Sequence, residues 1–97
     1  MIVSTHLEAE QELIEGAQRY KRQVNARLGA AFIAEYERVV ALLLRYPHFG
    51  SIWRDSLRHY SLRRFPYSVI YHVSGDAMRI LAVAHQSRKP EYRAGWT

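Results

Sequence analysis

The stretch Tyr67-Ser-Val-Ile-Tyr-His-Val-Ser-Gly-Asp-Ala-Met-Arg-Ile-Leu-Ala-Val-Ala-His85 decides the fold. Two apolar runs of strand character, Tyr67–Val73 and Met78–His85, flank Ser74-Gly75-Asp76-Ala77. Gly75 followed by Asp76 between such runs specifies a tight hairpin, because Gly supplies the positive φ required at the first central position of a type II′ turn. With a period of two, Tyr67, Val69, Tyr71 and Val73 point one way while Ser68, Ile70 and His72 point the other. In the second run Met78, Ile80, Ala82 and Ala84 oppose Arg79, Leu81, Val83 and His85. The sets carrying Ser68/His72 and Arg79/His85 hold the polar side chains and are expected to share the more open face. Ile70, Leu81 and Val83 lie in the same sets, so part of that face should be covered. The second strand runs straight into His85-Gln86-Ser87-Arg88-Lys89-Pro90-Glu91-Tyr92. A rigid hairpin ending in clustered donors presents charge to a large anionic partner, which places function on the sheet rather than on the helices.

Outward from this hairpin, the preceding segment Arg58-His-Tyr-Ser-Leu-Arg63 also reads as extended, and Pro47-His-Phe-Gly-Ser51 as a loop. Further back the period changes. Phe32, Tyr36, Val39, Leu42 and Leu43 mark an amphipathic helix that should stop at Tyr46, since Pro47 disfavours helical geometry in the residue before it. Asn25 is placed to cap that helix, with Gly29 near its start. Leu13, Ile14, Ala17, Tyr20 and Val24 line the face of an earlier helix, with Thr5-His-Leu-Glu8 in the capping-box pattern and Glu8, Glu10 and Glu12 where the helix dipole favours anions. A short strand over residues 2–4 should precede it. The expected architecture is α+β: an N-terminal helical hairpin packed on a three- to four-stranded, mainly antiparallel sheet.

The chain has 97 residues, enough for one domain spanning 1–97 with a modest core. No run approaches the ~18 consecutive apolar residues of a membrane span, and the start of the chain lacks signal-peptide character, so a cytoplasmic protein is expected. Cysteine is absent, which excludes a disulfide framework, a thiol nucleophile and a cysteine zinc site. Net charge is +5, all of it in the second half. Residues 1–50 hold six Lys/Arg and six Asp/Glu, whereas residues 51–97 hold eight against three. That asymmetry points to an anionic partner for the basic half.

No phosphate loop, nucleophile elbow or helical metal-binding His pair is present, and the five His are each eleven or more residues apart. Neither a metal nor a cofactor is expected. Glu8, Glu12 and Glu15 imitate a carboxylate set but read as a solvated helix start. The set Arg58, Arg63, Arg64, His85, Gln86, Arg88, Lys89 and Tyr92 is different in kind. Arginine forks bind phosphate and stabilise charge developing on it, while His or Tyr can move a proton in the attack of a ribose 2′-hydroxyl. The same side chains serve equally as a docking surface, and their chemistry does not separate the two. His85 and Arg88 are the leading candidates, and Tyr67 and Tyr71 are assigned to the core.

Phe65-Pro-Tyr67-x-Val69-Ile-Tyr71, then Gly75-Asp76, then Ile80-Leu-Ala-Val-Ala-His85-x-x-Arg88-x-Pro90-x-Tyr92 resembles the RelE/ParE superfamily of bacterial toxins. The resemblance implies a type II toxin–antitoxin (plasmid stabilisation) system, in which a cognate antitoxin with an acidic or amphipathic segment silences this domain. It also implies one of two activities. RelE-like members cleave mRNA on the ribosome without metal, and ParE-like members inhibit DNA gyrase. As a nuclease, the chain would use His85, Arg88 and Tyr92 catalytically, with Arg58, Arg63, Arg64, Gln86 and Lys89 binding the nucleic acid or target. Yet Ser68 stands where such nucleases usually carry Arg, and Gln86 falls at a second basic position. His85-Gln-Ser87-x-x-Pro90 looks more like the ParE side, so gyrase inhibition is preferred over the mRNA interferase.

Overall fold

The computed structural model describes residues 1–87. The chain runs β1 (Ile2–Thr5), α1 (Leu7–Gln23), α2 (Ala26–Arg45), β2 (Ser51–Arg54), β3 (Leu57–Ser61), β4 (Tyr67–Ser74) and β5 (Ala77–His85). The five strands among the described residues form one sheet in the order β1-β5-β4-β3-β2. Every pairing is antiparallel except that of β1 with β5. The α+β expectation holds, and the sheet has five strands among the described residues where three to four were expected. The unexpected strand is β2, four residues long and adjoining the loop signals of residues 47–51, which leaves too short a run to show alternation. Among the described residues no helix is long and apolar enough to cross a membrane.

The hairpin forms as its turn residues require. Ser74 pairs with Ala77 across a two-residue turn, and Gly75 has φ +59° while Asp76 keeps a negative φ. Only the first central position is left-handed, as a type II′ turn demands.

Helix starts follow side-chain chemistry in one case and tertiary context in the other. Asn25 caps α2, its Oδ1 accepting from the amide of Leu28 at 2.8 Å. Thr5 does not cap α1, because its backbone pairs with Ile80 in β1. The cap moves to His6, whose Nδ1 accepts from the amide of Glu8 at 3.3 Å. Leu13, Ala17 and Tyr20 of α1 pack against the core as read. Ala9 and Gly16 are buried while Ile14 and Val24 are exposed. On α2, Phe32, Val39 and Leu43 are fully buried against Tyr67, Val69, Tyr71, Met78 and Ile80. Gly16 permits this packing, since a Cβ there would sit 2.8 Å from the Phe32 ring.

A β-bulge sets the two faces of β5. Ile70 pairs with Ala82 and Tyr71 with Ile80, so Leu81 is an extra residue and the alternation changes phase. Before it, Met78 and Ile80 face the helices and Arg79 faces out; after it, Val83 joins the helix-side core. Ala82 and Ala84 instead pack with Ile70 and Trp53 on the other face. A strict period of two puts Val83 and His85 with Arg79. The bulge moves both to the helix side.

Candidate functional site

The end of β5 and the middle of α1 enclose a cleft of about 170 Å³ lined by polar side chains. His85 reaches it because of the bulge, and packs edge-on against Tyr67 with ring centroids 5.1 Å apart. Its Nδ1 accepts from the amide of Ser87 at 3.1 Å and lies 2.7 Å from Ser87 Oγ. Glu12, Glu15 and Arg19 face it from α1, and an Arg19 guanidinium nitrogen lies 3.4 Å from Tyr67 Oη. Glu12 is not part of a solvated helix start as expected. β1 pairs only as far as Ile80, so among the described residues the next stretch of β5 has no strand on that side. Glu12 Oε1 takes over there by accepting from the amide of Val83 at 2.9 Å. No local sequence signal marks this contact, because 71 residues separate its partners. With two carboxylates against one guanidinium, the cleft discourages a phosphodiester and favours a polar or cationic group.

The opposite face presents a different set. Gln86 Nε2 donates to Ser61 Oγ at 3.1 Å and lies 3.4 Å from Ser68 Oγ, above the Ile70/Ala82/Ala84 patch. Gln86 and His85 therefore stand on opposite sides of the sheet, although they are adjacent in sequence. Neither Ser61, Ser68 nor Gln86 can carry a positive charge or act as a general base near neutrality.

Among the expected phosphate-binding arginines, Arg58 is already engaged. Its Nη1 donates to the carbonyls of His48 at 3.1 Å and Gly50 at 2.8 Å. Arg63 and Arg64 are exposed in the β3–β4 connection, where Arg64 has φ +71° and lies over the Phe65 ring at 5.9 Å. The Arg63 amide donates to Glu35 Oε2 at 2.7 Å, and Arg38 grips both oxygens of the same carboxylate. Those Arg38 bonds hold the Glu35 carboxyl below its ordinary value, against the opposing effect of burial. Arg88, Lys89 and Tyr92 lie outside the described residues. The structure thus brings together His85, Tyr67 and Arg19 on one side and Gln86, Ser61 and Ser68 on the other, with Arg58 and the Arg63–Arg64 pair elsewhere.

Tyr71 is a core residue, as expected, with a further task. Its Oη donates to the Pro47 carbonyl at 2.8 Å and accepts from the Gly50 amide at 3.0 Å. Burial raises its pKa, with the Gly50 bond and the Arg58 charge opposing. Together Tyr71 and Arg58 pin the loop that joins α2 to β2.

The helical hairpin over a mixed sheet, with polar clusters at one strand end, has counterparts among known proteins. The family model for the ParE toxin of the type II toxin–antitoxin system parDE matches residues 3–90, so the chain belongs to that family. A solved structure, the chromosomal ParDE toxin–antitoxin system from P. aeruginosa, is similar with a TM-score of 0.77. It is 18% identical, and the match covers 88% of this chain and 95% of that one, which supports the fold. No curated protein matches the sequence.

Proposed function

We propose that this chain is the toxin of a two-component system, held inactive in the cytoplasm by a cognate antitoxin, and that it arrests growth by binding DNA gyrase. The observation that carries this reading is the phase change at Leu81. It sets His85 beside Glu12 and Glu15 and across the sheet from Gln86 and Ser68. A nuclease of this architecture needs cations and a proton carrier converging on one phosphate. Among the described residues the outer face offers hydroxyls and an amide at that place, and Arg58 is held by two carbonyls. Such a surface suits docking better than transesterification. The basic second half suits an acidic antitoxin segment that folds as it binds.

Induction without antitoxin, followed within minutes by mapping of RNA 5′ ends, tests the choice. Intact messages with a rise in DNA-damage transcripts are expected. New ends in a fixed register within translated codons would overturn gyrase inhibition in favour of the RelE-like interferase.

A further inference from the structure

The turn between α2 and β2 displays apolar side chains that the fold itself does not need. Phe49 is 58% exposed, Tyr46 51% and Ile52 64%. Phe49 stacks between Tyr46 and Tyr60 with centroid distances of 6.1 and 5.7 Å. Ile52 stands opposite Arg58, which shares a face of β3 with Tyr60, so Ile52 lies on the same face of the sheet as the aromatic group. An exposed cluster of this kind marks an interaction site.

Its backbone is fixed from behind. Tyr71 Oη bridges Pro47 and Gly50, Arg58 binds the carbonyls of His48 and Gly50, and the Phe49 amide donates to the Tyr46 carbonyl. A Cβ on Gly50 would stand 2.6 Å from Tyr71 Oη and 2.8 Å from the His59 carbonyl, so glycine is required there. A buried phenol and a guanidinium hold an exposed phenylalanine in place, which lowers the ordering cost when a partner covers it.

We propose that Tyr46, Phe49, Tyr60 and Ile52 form a docking surface for an acidic, amphipathic segment of the cognate antitoxin. This rests on the toxin–antitoxin reading above. Charge selects the acidic occupant. From Val39 to Arg54 the chain has no Asp or Glu, and Arg45 lies 5.7 Å over the Tyr46 ring at the rim. Glu35, the acid on the Tyr60 side, is neutralised by Arg38. An aromatic centre with an arginine rim is the composition of a protein interface. A nucleic acid would require a track of available cations, and here Arg38 is paired with Glu35 and Arg58 is turned onto the carbonyls of His48 and Gly50.

The test uses the 97-residue chain and, as probe, its purified cognate antitoxin. Phe49→Ala and Tyr46→Ala should each weaken binding about thirtyfold, and Arg45→Glu should weaken it more at low salt than at high salt. Val24→Ala, equally exposed but elsewhere, should bind as wild type does. Circular-dichroism melts verify that each variant is folded, and Phe49→Tyr separates loss of the ring from loss of fold. Cells expressing Phe49→Ala should arrest and no longer be rescued by antitoxin. Wild-type affinity in both alanine variants would overturn the surface while leaving the two-component reading intact. Loss of arrest with antitoxin binding preserved would assign the patch to the target, and selective capture of labelled duplex DNA would assign it to nucleic acid; either overturns the proposed occupant. Failure of wild-type toxin to bind the antitoxin at all would overturn the underlying reading and the surface with it.

Discussion

Tyr71 shows how one buried hydroxyl can organise a functional edge. Its ring fills the core, and its Oη is at once donor to Pro47 and acceptor for Gly50. Tyr71→Phe keeps the ring and strands both backbone groups, so it should cost about 2 kcal/mol, read as a fall of roughly 10 °C in Tm. Gly50→Ala should cost at least as much, because its Cβ meets both the phenol and the β3 backbone. Glu35 makes a pH-dependent contribution of predictable sign. Its folded pKa is lowered by Arg38, so its stabilisation is present above the ordinary carboxylate range and is lost as pH falls through the lowered value. Glu35→Gln should therefore lower stability by about 1 kcal/mol near neutrality. In thermal melts, the gap from wild type should close as pH falls below the ordinary carboxylate range and through the lowered value. A gap independent of pH would show that the carboxylate charge is not what matters there.

The elements respond to wider context than their own residues. Glu12 on α1 stands in for the missing continuation of β1 by accepting from Val83. Glu12→Ala should speed hydrogen exchange at the Val83 amide about fivefold, the equivalent of ~1 kcal/mol, while amides in the β3–β4 ladder are unmoved. Asn25→Ala should cost about 1 kcal/mol through loss of the α2 cap, measured by chemical denaturation. What was legible in the sequence divides along the same line. Gly75-Asp76 and Asn25 act on their immediate neighbours, and both formed as read. Thr5 carried an equally good local signal, yet pairing with Ile80 took its backbone into β1 and passed the cap to His6. The Leu81 bulge had no local signature at all, because an unbroken apolar run from Ile80 to Ala84 looks the same in either phase. The face of His85, and hence the make-up of the candidate site, was hidden for that reason. The aromatic edge at Tyr46 and Phe49 has no signature in the sequence, because it lies in a segment whose composition reads only as a loop.

At the scale of the molecule, charge and shape divide the work. The first half is neutral and the second carries the whole +5, while His85 is drawn into a cleft with two carboxylates on the helix side. This arrangement fits a protein that acts by binding and is released or restrained by a partner of opposite charge. The most direct test is a supercoiling assay with purified gyrase, ATP and relaxed plasmid, run with the isolated toxin and again with its antitoxin. The account predicts dose-dependent loss of supercoiling that antitoxin restores, with a ribosome-bound message left intact in parallel. Full supercoiling at saturating toxin, together with cleavage of that message, would contradict it.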